Sequence, residues 1–429
     1  MTTGAAGRGL APARTTLPNG AVVIAKETRK TPAVTINIAI RAGSIGDPAG
    51  LIGATYLLSR VIDRGTVTRS AADIADLLEG RGVSLSVGVT RHVFSIACTC
   101  LSEDFPEIFS LVSDIVRSPS VPDLELSTRK GEVATGLRQD QDNPAVRAVE
   151  ALMARLYGET HPYGAPGKGT LESIEAMTRD DLLRLHRRGF SPAVTSVVVV
   201  GDVPHSEAID VVQAGLGDWT VSAPAAVVVA APEPHRTRDR HIIPMMNKAQ
   251  ADIAYGFVAI ARHDPDYYAF TLLNNVLGQY ALGGRLGDSI RERQGMAYYV
   301  YSSFDGNVIA GPLMIRAGVS AANVERAIAS IDVEISSLAR EGPTVKEHRE
   351  STEYLIGSLP RSLETNAGIA QFLQTAEFFG LGTDYDVRLP LLLRAVTLDH
   401  IRAVGQRYLD PEVATVVVAG PYSETPVVS

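Results

Sequence analysis

The chain has 429 residues, which is too long for one ordinary domain and fits two domains of about 200 residues. Hydrophobic residues make up 45% and charged residues 21%, the balance of a soluble globular protein with an ample core. The net charge of −8, without a long basic run, argues against nucleic-acid binding. No 18-residue apolar run predicts a membrane span, and the N-terminus lacks the apolar stretch of a signal peptide. We therefore expect a cytoplasmic protein, or a periplasmic one only if a signal peptide has been removed.

The first half contains both strand and helix patterns. The turn signal at 17–20 precedes two β-rich runs, 21–27 and 34–43, which predict a hairpin. A pair of strands is predicted at 83–101. Helices are predicted at 50–63, 71–79, 106–118 and 126–157, the last interrupted at Asn143-Pro144 because proline cannot continue the hydrogen-bond ladder.

The second half begins after a segment rich in proline and alanine, which predicts an interdomain linker at 219–240. A glycine loop is expected at Gly283-Gly284, followed by a helix that ends at Gly295. Strands are predicted at 253–259 and 296–304. Further helices are predicted at 267–278, 324–340, 345–359 and 367–379.

One helix-strand pattern occurs twice, about half the chain length apart. TRDDLLRLHRRGFSPAVTSVVVVG spans Thr178 to Gly201, and TLDHIRAVGQRYLDPEVATVVVAG spans Thr397 to Gly420, aligned without a gap. The repeat predicts two copies of one domain, at 1–218 and 241–429. Since strands and helices do not alternate as βαβ units, we expect an α+β fold with a mixed sheet and helices in each copy.

Cysteine and histidine spacing gives no metal or redox motif. Cys98 and Cys100 lie two apart on a predicted strand, so we expect both to face the core as small hydrophobic residues. None of the nine histidines lies three or four residues from another, whereas catalytic zinc sites often have such a pair. Glu159 and His161 precede a predicted turn, and we expect no metal there.

The most suggestive local pattern lies between Arg291 and Tyr298. Arg291 is expected in the last helical turn before Gly295, and Tyr298 at the beginning of the next strand. A guanidinium and a phenol that converge could donate hydrogen bonds to a peptide carbonyl and to the oxyanion that develops on it. The structural alternative is an arginine that complements the helix dipole and an ordinary strand tyrosine.

The duplicated organisation, the segment 273–304, the HPYGAPGKGT loop and the Asp142-Asn-Pro sequence together resemble the pitrilysin family of zinc peptidases over essentially the whole chain. The resemblance is strongest to its short bacterial subunits, which are similar to mitochondrial processing peptidase. It implies a clam shell of two homologous domains, with the sheets mainly antiparallel. It also implies that Arg291 and Tyr298 contact the substrate backbone and help to stabilise the tetrahedral intermediate.

The family's zinc motif, His-x-x-Glu-His plus a later glutamate, is replaced in this chain. Alignment on Gly65-Thr66 places Tyr56, Ser59 and Arg60 at the motif, and alignment on the Asp142-Asn-Pro sequence places Gly136 at the third ligand. A guanidinium is always charged and never ligates zinc. We therefore expect these four positions to form a degenerate site without metal.

The family divides labour between zinc-bearing chains and chains that carry the Arg/Tyr pair. The resemblance therefore implies a subunit without zinc, inactive alone, that lends Arg291 and Tyr298 in trans to a homologous zinc-bearing partner. The implied substrate is a peptide that adds as a strand to a sheet edge of the partner. The alternative is a non-enzymatic core or scaffold protein of the same fold, and self-association as a homodimer also stays open.

Overall fold

The computed structural model describes residues 9–233, 235–279 and 284–423. Gly283, the first residue of the predicted glycine loop, lies outside these ranges.

The described ranges contain two sheets. Their strands are β1 Ala13–Thr16, β2 Val22–Glu27, β3 Ala33–Ile40, β4 Ser86–Val89, β5 Phe94–Leu101, β6 Thr195–Gly201, β7 Asp239–Pro244, β8 Ala251–Val258, β9 Ala297–Phe304, β10 Pro312–Val319 and β11 Thr415–Gly420.

The helices, in chain order, are α1 Ala54–Val61, α2 Ala71–Gly80, α3 Phe105–Arg117, α4 Asp123–Gln141, α5 Pro144–Tyr157, α6 Leu171–Ala176, α7 Arg179–Gly189, α8 His205–Leu216, α9 Tyr267–Asn274, α10 Val324–Glu341, α11 Val345–Ser362, α12 Asn366–Phe378, α13 Tyr385–Arg394 and α14 Leu398–Tyr408. Two segments are π-helical, Asn275–Gln279 and Gly287–Arg293. Short 3₁₀ turns occur at Ser44–Gly46, Ser102–Asp104, Pro192–Val194, Ala321–Asn323 and Pro411–Val413.

The two sheets share one topology over five strands, and the first sheet has β1 as an additional edge strand. The first has the order β1-β2-β6-β3-β5-β4 and the second β7-β11-β8-β10-β9. In each sheet the strand of the repeated sequence, β6 or β11, is parallel to one neighbour and antiparallel to the other. The other pairs are antiparallel. The predicted α+β class, with two homologous mixed sheets packed with helices, is confirmed.

The compact units each include a segment from the other half of the sequence. One unit comprises the chain up to Leu137, Pro166–Val228 and Ser358–Arg388, and the other comprises Arg138–Ala165, Val229–Gly357 and the chain from Leu389. Accordingly, α12 packs on β3 and β6 of the first sheet, and α5 packs on β8 and β11 of the second. The boundaries 1–218, 219–240 and 241–429 describe the duplicated sequence and stay a prediction.

Each sheet packs on two sides, which explains its apolar strands. In the first unit, Val34, Ile36 and Ile38 face the main core, while Ile369 and Leu373 of α12 cover the opposite face. In the second unit, Gly256 lets Leu152 and Leu156 of α5 approach β8, because a Cβ at Gly256 would lie 3.0 Å from Leu152 Cδ2. The exchanged helices therefore complete the packing of both sheets.

The repeated sequence forms the same helix-strand unit twice. The side chain of Thr178 accepts a hydrogen bond from the backbone N–H of Asp181 at the start of α7, and Thr397 accepts one from His400 at the start of α14. Such caps satisfy backbone donors that a helix N-terminus leaves without partners. β6 and β11 then follow at matching positions, so the repeat seen in the sequence is a repeat in structure.

One predicted connection is wrong. The strands β2 and β3 do not form a hairpin, because β6 lies between them and pairs with both. The turn signal at 17–20 instead joins β1 to β2, with the N–H of Leu17 donating to the carbonyl of Ala21 at 2.8 Å. The Val-rich β6 is buried on both faces and lies in the interior of the sheet. The prediction failed because it paired strands that are neighbours in the sequence.

Candidate functional site

The helix α1 carries three of the four positions at which the family's zinc motif is replaced. Its first turn is fixed by Asp47, whose carboxylate accepts hydrogen bonds from the backbone N–H groups of Gly53, at 2.8 Å, and Thr55, at 2.9 Å. Burial raises the pKa of Asp47, against the opposing effect of these hydrogen bonds. Residues 56, 59 and 60 lie three and four positions apart and share one face of the helix.

Three of the four replaced positions lie together in the structure. Tyr56 and Arg60 of α1 and Gly136 of α4 line one pocket of about 80 Å³, together with Glu132, Val133, Leu137 and Lys168. Ser59 is buried, and its hydroxyl donates to the carbonyl of Tyr56 at 2.7 Å, so its side chain is engaged with its own helix.

The residues of this pocket do not fit zinc. Arg60 supplies a guanidinium and Gly136 no side chain, and neither can act as a metal ligand. Ser59, at the position of the general base, is a hydroxyl engaged with a backbone carbonyl. Within the described ranges, no group of three or more His, Cys, Asp and Glu residues is arranged to hold a metal ion.

The acidic residues around the pocket have arginine partners, whereas Arg60 has no direct ionic partner within the described ranges. Glu132 accepts two hydrogen bonds from Nη1 of Arg129, each at 2.7 Å. Asp63 lies 3.3 Å from Nε of Arg64, and its pKa is raised by burial, with Arg64 opposing that shift. Within the described part of the chain, Arg60 forms no hydrogen bond or ion pair through its exposed guanidinium.

The second candidate site lies in the other unit, where Arg291 is in the last turn of the π-helical segment Gly287–Arg293. The predicted helix is present, but with π geometry, which is rare and frequently found at functional sites. Gly295 ends it as predicted, with a φ of +61° that favours glycine. Because the N–H of Gly295 donates to the carbonyl of Arg291 and that of Met296 to the carbonyl of Ile290, both at 3.1 Å, the chain folds back directly into β9.

The side chains of Arg291 and Tyr298 are open to solvent. Tyr298 is 68% exposed, and it lies where the register between β9 and β10 shifts, Ala297 pairing with Val319 and Tyr299 with Gly318. Such a bulge changes the direction of a side chain. The Arg291 side chain is 45% exposed, and its nearest ionic contact is Glu292 at 3.8 Å.

Tyr299, the neighbour of Tyr298, is held by the fold. Its hydroxyl donates a short hydrogen bond to Oδ1 of Asp252, which is buried on β8. Burial, with added effects from Asp252, raises the pKa of Tyr299. The two adjacent tyrosines thus differ, one bonded within the sheet and the other exposed at its bulge.

Sequence reasoning missed two residues that shape these sites. Lys168 lines the pocket beside Arg60, but it lies in a glycine- and proline-rich loop that indicated only a turn. Arg285 lies six residues before Arg291 and donates from Nε to Oε1 of Glu347 at 2.6 Å. The glycine-rich sequence around Arg285 indicated only a hinge before the helix that carries Arg291. Only tertiary packing reveals the partners of both residues.

The other chemical candidates are structural. Cys98 and Cys100 are buried and unbridged, and burial raises their pKa values to about 12 and about 11. Nδ1 of His161 accepts from the N–H of Tyr163 at 3.0 Å, and its Nε2 lies 3.1 Å from the carbonyl of Ala230. Both ring nitrogens of His161 are therefore occupied within its own unit.

The duplicated fold and the positions of its replaced motif define a protein of the zinc-peptidase type whose metal-site positions carry no suitable ligands. Comparison with known families agrees. Residues 22–165 match the model described as Insulinase (Peptidase family M16), and residues 176–355 match the Peptidase M16 inactive domain. The chain belongs to peptidase family M16, which confirms the pitrilysin-type resemblance.

Similar proteins span nearly the whole chain. An uncharacterized zinc protease of Mycobacterium tuberculosis is 27% identical, covering 96% of this chain and 94% of its own. A non-peptidase homolog of Helicobacter pylori is 25% identical, covering 90% and 87%. The crystal structure of a peptidase M16 inactive domain from Pseudomonas fluorescens superposes with a TM-score of 0.88 at 27% identity, covering 97% of this chain and 100% of that one.

In the residues that the structure describes, every helix is too short or too polar to span a bilayer.

Proposed function

We propose that this chain is the zinc-less subunit of a heterodimeric M16 peptidase, to which it supplies Arg291 and Tyr298 in trans. The observation that carries the proposal is the exposure of both side chains at one turn. Arg291 has only a 3.8 Å contact with Glu292, and Tyr298 is 68% exposed. The chain between the two residues is shaped by the end of the π-helical segment, the turn at Gly295 and the bulge of β9.

The chemistry of the pair suits an extended peptide. The Arg291 guanidinium is permanently charged and donates hydrogen bonds to a substrate carbonyl. The phenol of Tyr298 donates to the oxyanion that develops on the scissile carbonyl, where preorganised donors contribute most to rate. The adjacent Tyr299, in contrast, donates its hydroxyl hydrogen bond to Asp252 within its own unit.

The zinc of such an enzyme belongs to the partner. The replacement of the ligands at Tyr56, Arg60 and Gly136 and of the base at Ser59 leaves this chain dependent on a homologous subunit with a complete His-x-x-Glu-His motif. The substrate is an unfolded or short peptide that pairs with a sheet edge of that subunit. The chain alone is inactive, and we place the assembly in the cytoplasm.

The test is reconstitution. The chain is co-expressed with a homologous His-x-x-Glu-His subunit from the same genome, and cleavage of a quenched fluorescent peptide library is measured for each chain and for the mixture. Activity only in the mixture is expected, with zinc in the partner alone. About one equivalent of zinc in this chain purified by itself contradicts the proposal.

Variants then test the pair. Tyr298→Phe should lower kcat of the complex by about 10²-fold if the phenol is one oxyanion donor. Arg291→Ala should reduce kcat/KM by about 30-fold, equivalent to about 2 kcal/mol for a charge-assisted hydrogen bond. The controls are Tyr354→Phe and Arg326→Ala, at exposed positions in the same unit. A complex that forms but shows no cleavage favours the scaffold alternative. Cleavage at unchanged rates in both variants contradicts the roles proposed for Arg291 and Tyr298.

A further inference from the structure

The pocket at the replaced zinc positions suits a negatively charged ligand in place of a zinc cation. A zinc site presents electron-pair donors such as imidazole and carboxylate. Here the corresponding positions carry Arg60 and Gly136, which offer a guanidinium and no side chain. Arginine only donates hydrogen bonds, and the phenol of Tyr56 can donate one more.

From this geometry we propose that the pocket binds a small oxyanion, a carboxylate or a phosphate. Arg60 is the main contact, with Tyr56 beside it. The proposal concerns the unit that carries α1 and α4, and it does not rest on the function proposed for Arg291 and Tyr298 in the other unit.

The balance of charge favours an anion. The acidic residue that lines the pocket, Glu132, accepts two hydrogen bonds from Arg129 at 2.7 Å, so its charge is already compensated. Asp63, two residues beyond the end of α1, interacts electrostatically with Arg60 and lies 3.3 Å from Nε of Arg64. Arg60 itself makes no ion pair or hydrogen bond within the described ranges and is available to a ligand.

The size of the pocket limits the ligand. A volume of about 80 Å³ exceeds the space for one water, about 10–15 Å³, and suits one oxyanion group. Gly136 contributes to this space, since a Cβ built there meets no atom within 4 Å. The flat fork of arginine matches the two oxygens of a carboxylate or phosphate. The ligand is therefore the free anion itself or the end of a longer molecule, such as the C-terminus of a peptide.

The experiment uses the purified chain and inorganic phosphate or acetate as probes. Binding is measured by isothermal titration calorimetry and by the shift in melting temperature, at constant ionic strength set with sodium chloride. Wild-type protein should bind at least one probe in the millimolar range, and Arg60→Gln should weaken that binding by at least about tenfold, as expected for loss of one charge-assisted hydrogen bond. Arg60→Lys should retain part of it.

A second variant separates loss of binding from loss of folding. Gly136→Asp places a carboxylate in the pocket without steric conflict and should abolish anion binding. Gly131→Asp is the matched control, because Gly131 lies on the same helix, has equally open surroundings and does not line the pocket. Circular dichroism should show all variants folded.

A pair of peptides identifies the source of the anion. A short peptide with a free C-terminus that binds more tightly than its amide indicates a chain terminus, whereas phosphate binding with no preference between the peptides indicates a free or esterified phosphate. The proposal is overturned if neither probe binds the wild type, or if Arg60→Gln and Gly136→Asp bind as strongly as the wild type does.

Discussion

Arg285 and Glu347 form a two-pronged ion pair, with Nε of Arg285 2.6 Å from Oε1 and Nη2 2.9 Å from Oε2. The same Nη2 donates to the carbonyl of Gly342 at 3.1 Å, just beyond the end of α10. Oε2 of Glu347 also accepts from the N–H of Thr344 at 2.7 Å, which caps the start of α11. One arginine thus ties the chain that leads to Arg291 to the α10–α11 connection.

Loss of this pair should destabilise the unit. The Arg285 side chain is only 14% exposed, so Arg285→Met leaves Glu347 partly buried without its cation. We expect the free energy of unfolding to fall by about 2–3 kcal/mol, as for a hydrogen bond to a charged group. Urea denaturation measures the change. The control is Arg340→Met, whose ion pair with Glu341 is exposed to solvent and should contribute little to stability. Equal losses would show that the Arg285 pair is no stronger than a surface pair.

The adjacent tyrosines of β9 should respond differently to removal of their hydroxyls. Tyr299→Phe removes the donor to Oδ1 of the buried Asp252 carboxylate, while Oδ2 keeps the weaker hydrogen bond from Gln250 at 3.4 Å. We expect a loss of about 2 kcal/mol in unfolding free energy. Tyr298→Phe, at the exposed bulge, should change stability by less than about 0.5 kcal/mol. Thermal and urea unfolding of both variants measures the difference. A stability loss at Tyr298 as large as that at Tyr299 would indicate a structural role for Tyr298.

Stability should fall in mild acid because of a buried histidine. Nε2 of His186 lies 2.8 Å from the carbonyl of Val116, and burial lowers the pKa of His186 to about 4. Between about pH 6.5 and about pH 4, the unfolded chain binds a proton at this ring and the folded protein does not, so stability decreases as the pH falls. The loss from this residue reaches about 3 kcal/mol at the lower end.

His186→Gln should reduce this pH dependence. The unfolding free energy is measured in urea at several pH values from neutral to mildly acidic. Burial also lowers the pKa of His92 to about 4, so part of the slope should remain in the variant. The control is His241→Gln, at a half-buried position on β7. An unchanged slope in His186→Gln would show that this ring is not the group that titrates.

The elements that can be predicted from the sequence are those fixed by local signals. Pro144 separates α4 from α5, and Gly295 ends the π-helical segment, both as expected from proline and glycine chemistry. The hairpin was wrong because β6, far along the chain, takes the place between β2 and β3. Strand order depends on tertiary packing that no local pattern records.

The same limit applies to the sites. Spacing along α1 is sufficient to place Tyr56 and Arg60 on one face, and the family pattern adds Gly136, which lines the same pocket. Lys168 reaches that pocket only because the chain returns to it after α5. Likewise, the exchange of α5 and α12 between the units cannot be predicted from periodicity, because an amphipathic helix does not show which sheet it will cover.

The cysteines should be inert in the folded protein. Cys98 and Cys100 are each about 5% exposed or less, and burial raises their thiol pKa values well above neutral pH. Because the thiolate is the reactive form, Ellman's reagent should release no colour from native protein within minutes and two equivalents in strong denaturant. Rapid reaction of one thiol under native conditions would show that β5 opens readily.

Restoring the lost ligands would test the position of the replaced zinc site. Tyr56 and Arg60 lie one helical turn apart and line the same pocket as Gly136, where a Cβ has room. We expect the variant Tyr56→His/Arg60→His/Gly136→Glu to present two imidazoles and a carboxylate, a ligand set found in zinc sites, and to retain about one zinc per chain after gel filtration.

The matched control carries Thr135→Glu instead of Gly136→Glu. Thr135 is exposed, does not line the pocket and donates to the carbonyl of Gly131 at 2.9 Å, so its glutamate should point away. Equal zinc retention in both variants would mean that residue 136 is not the third-ligand position.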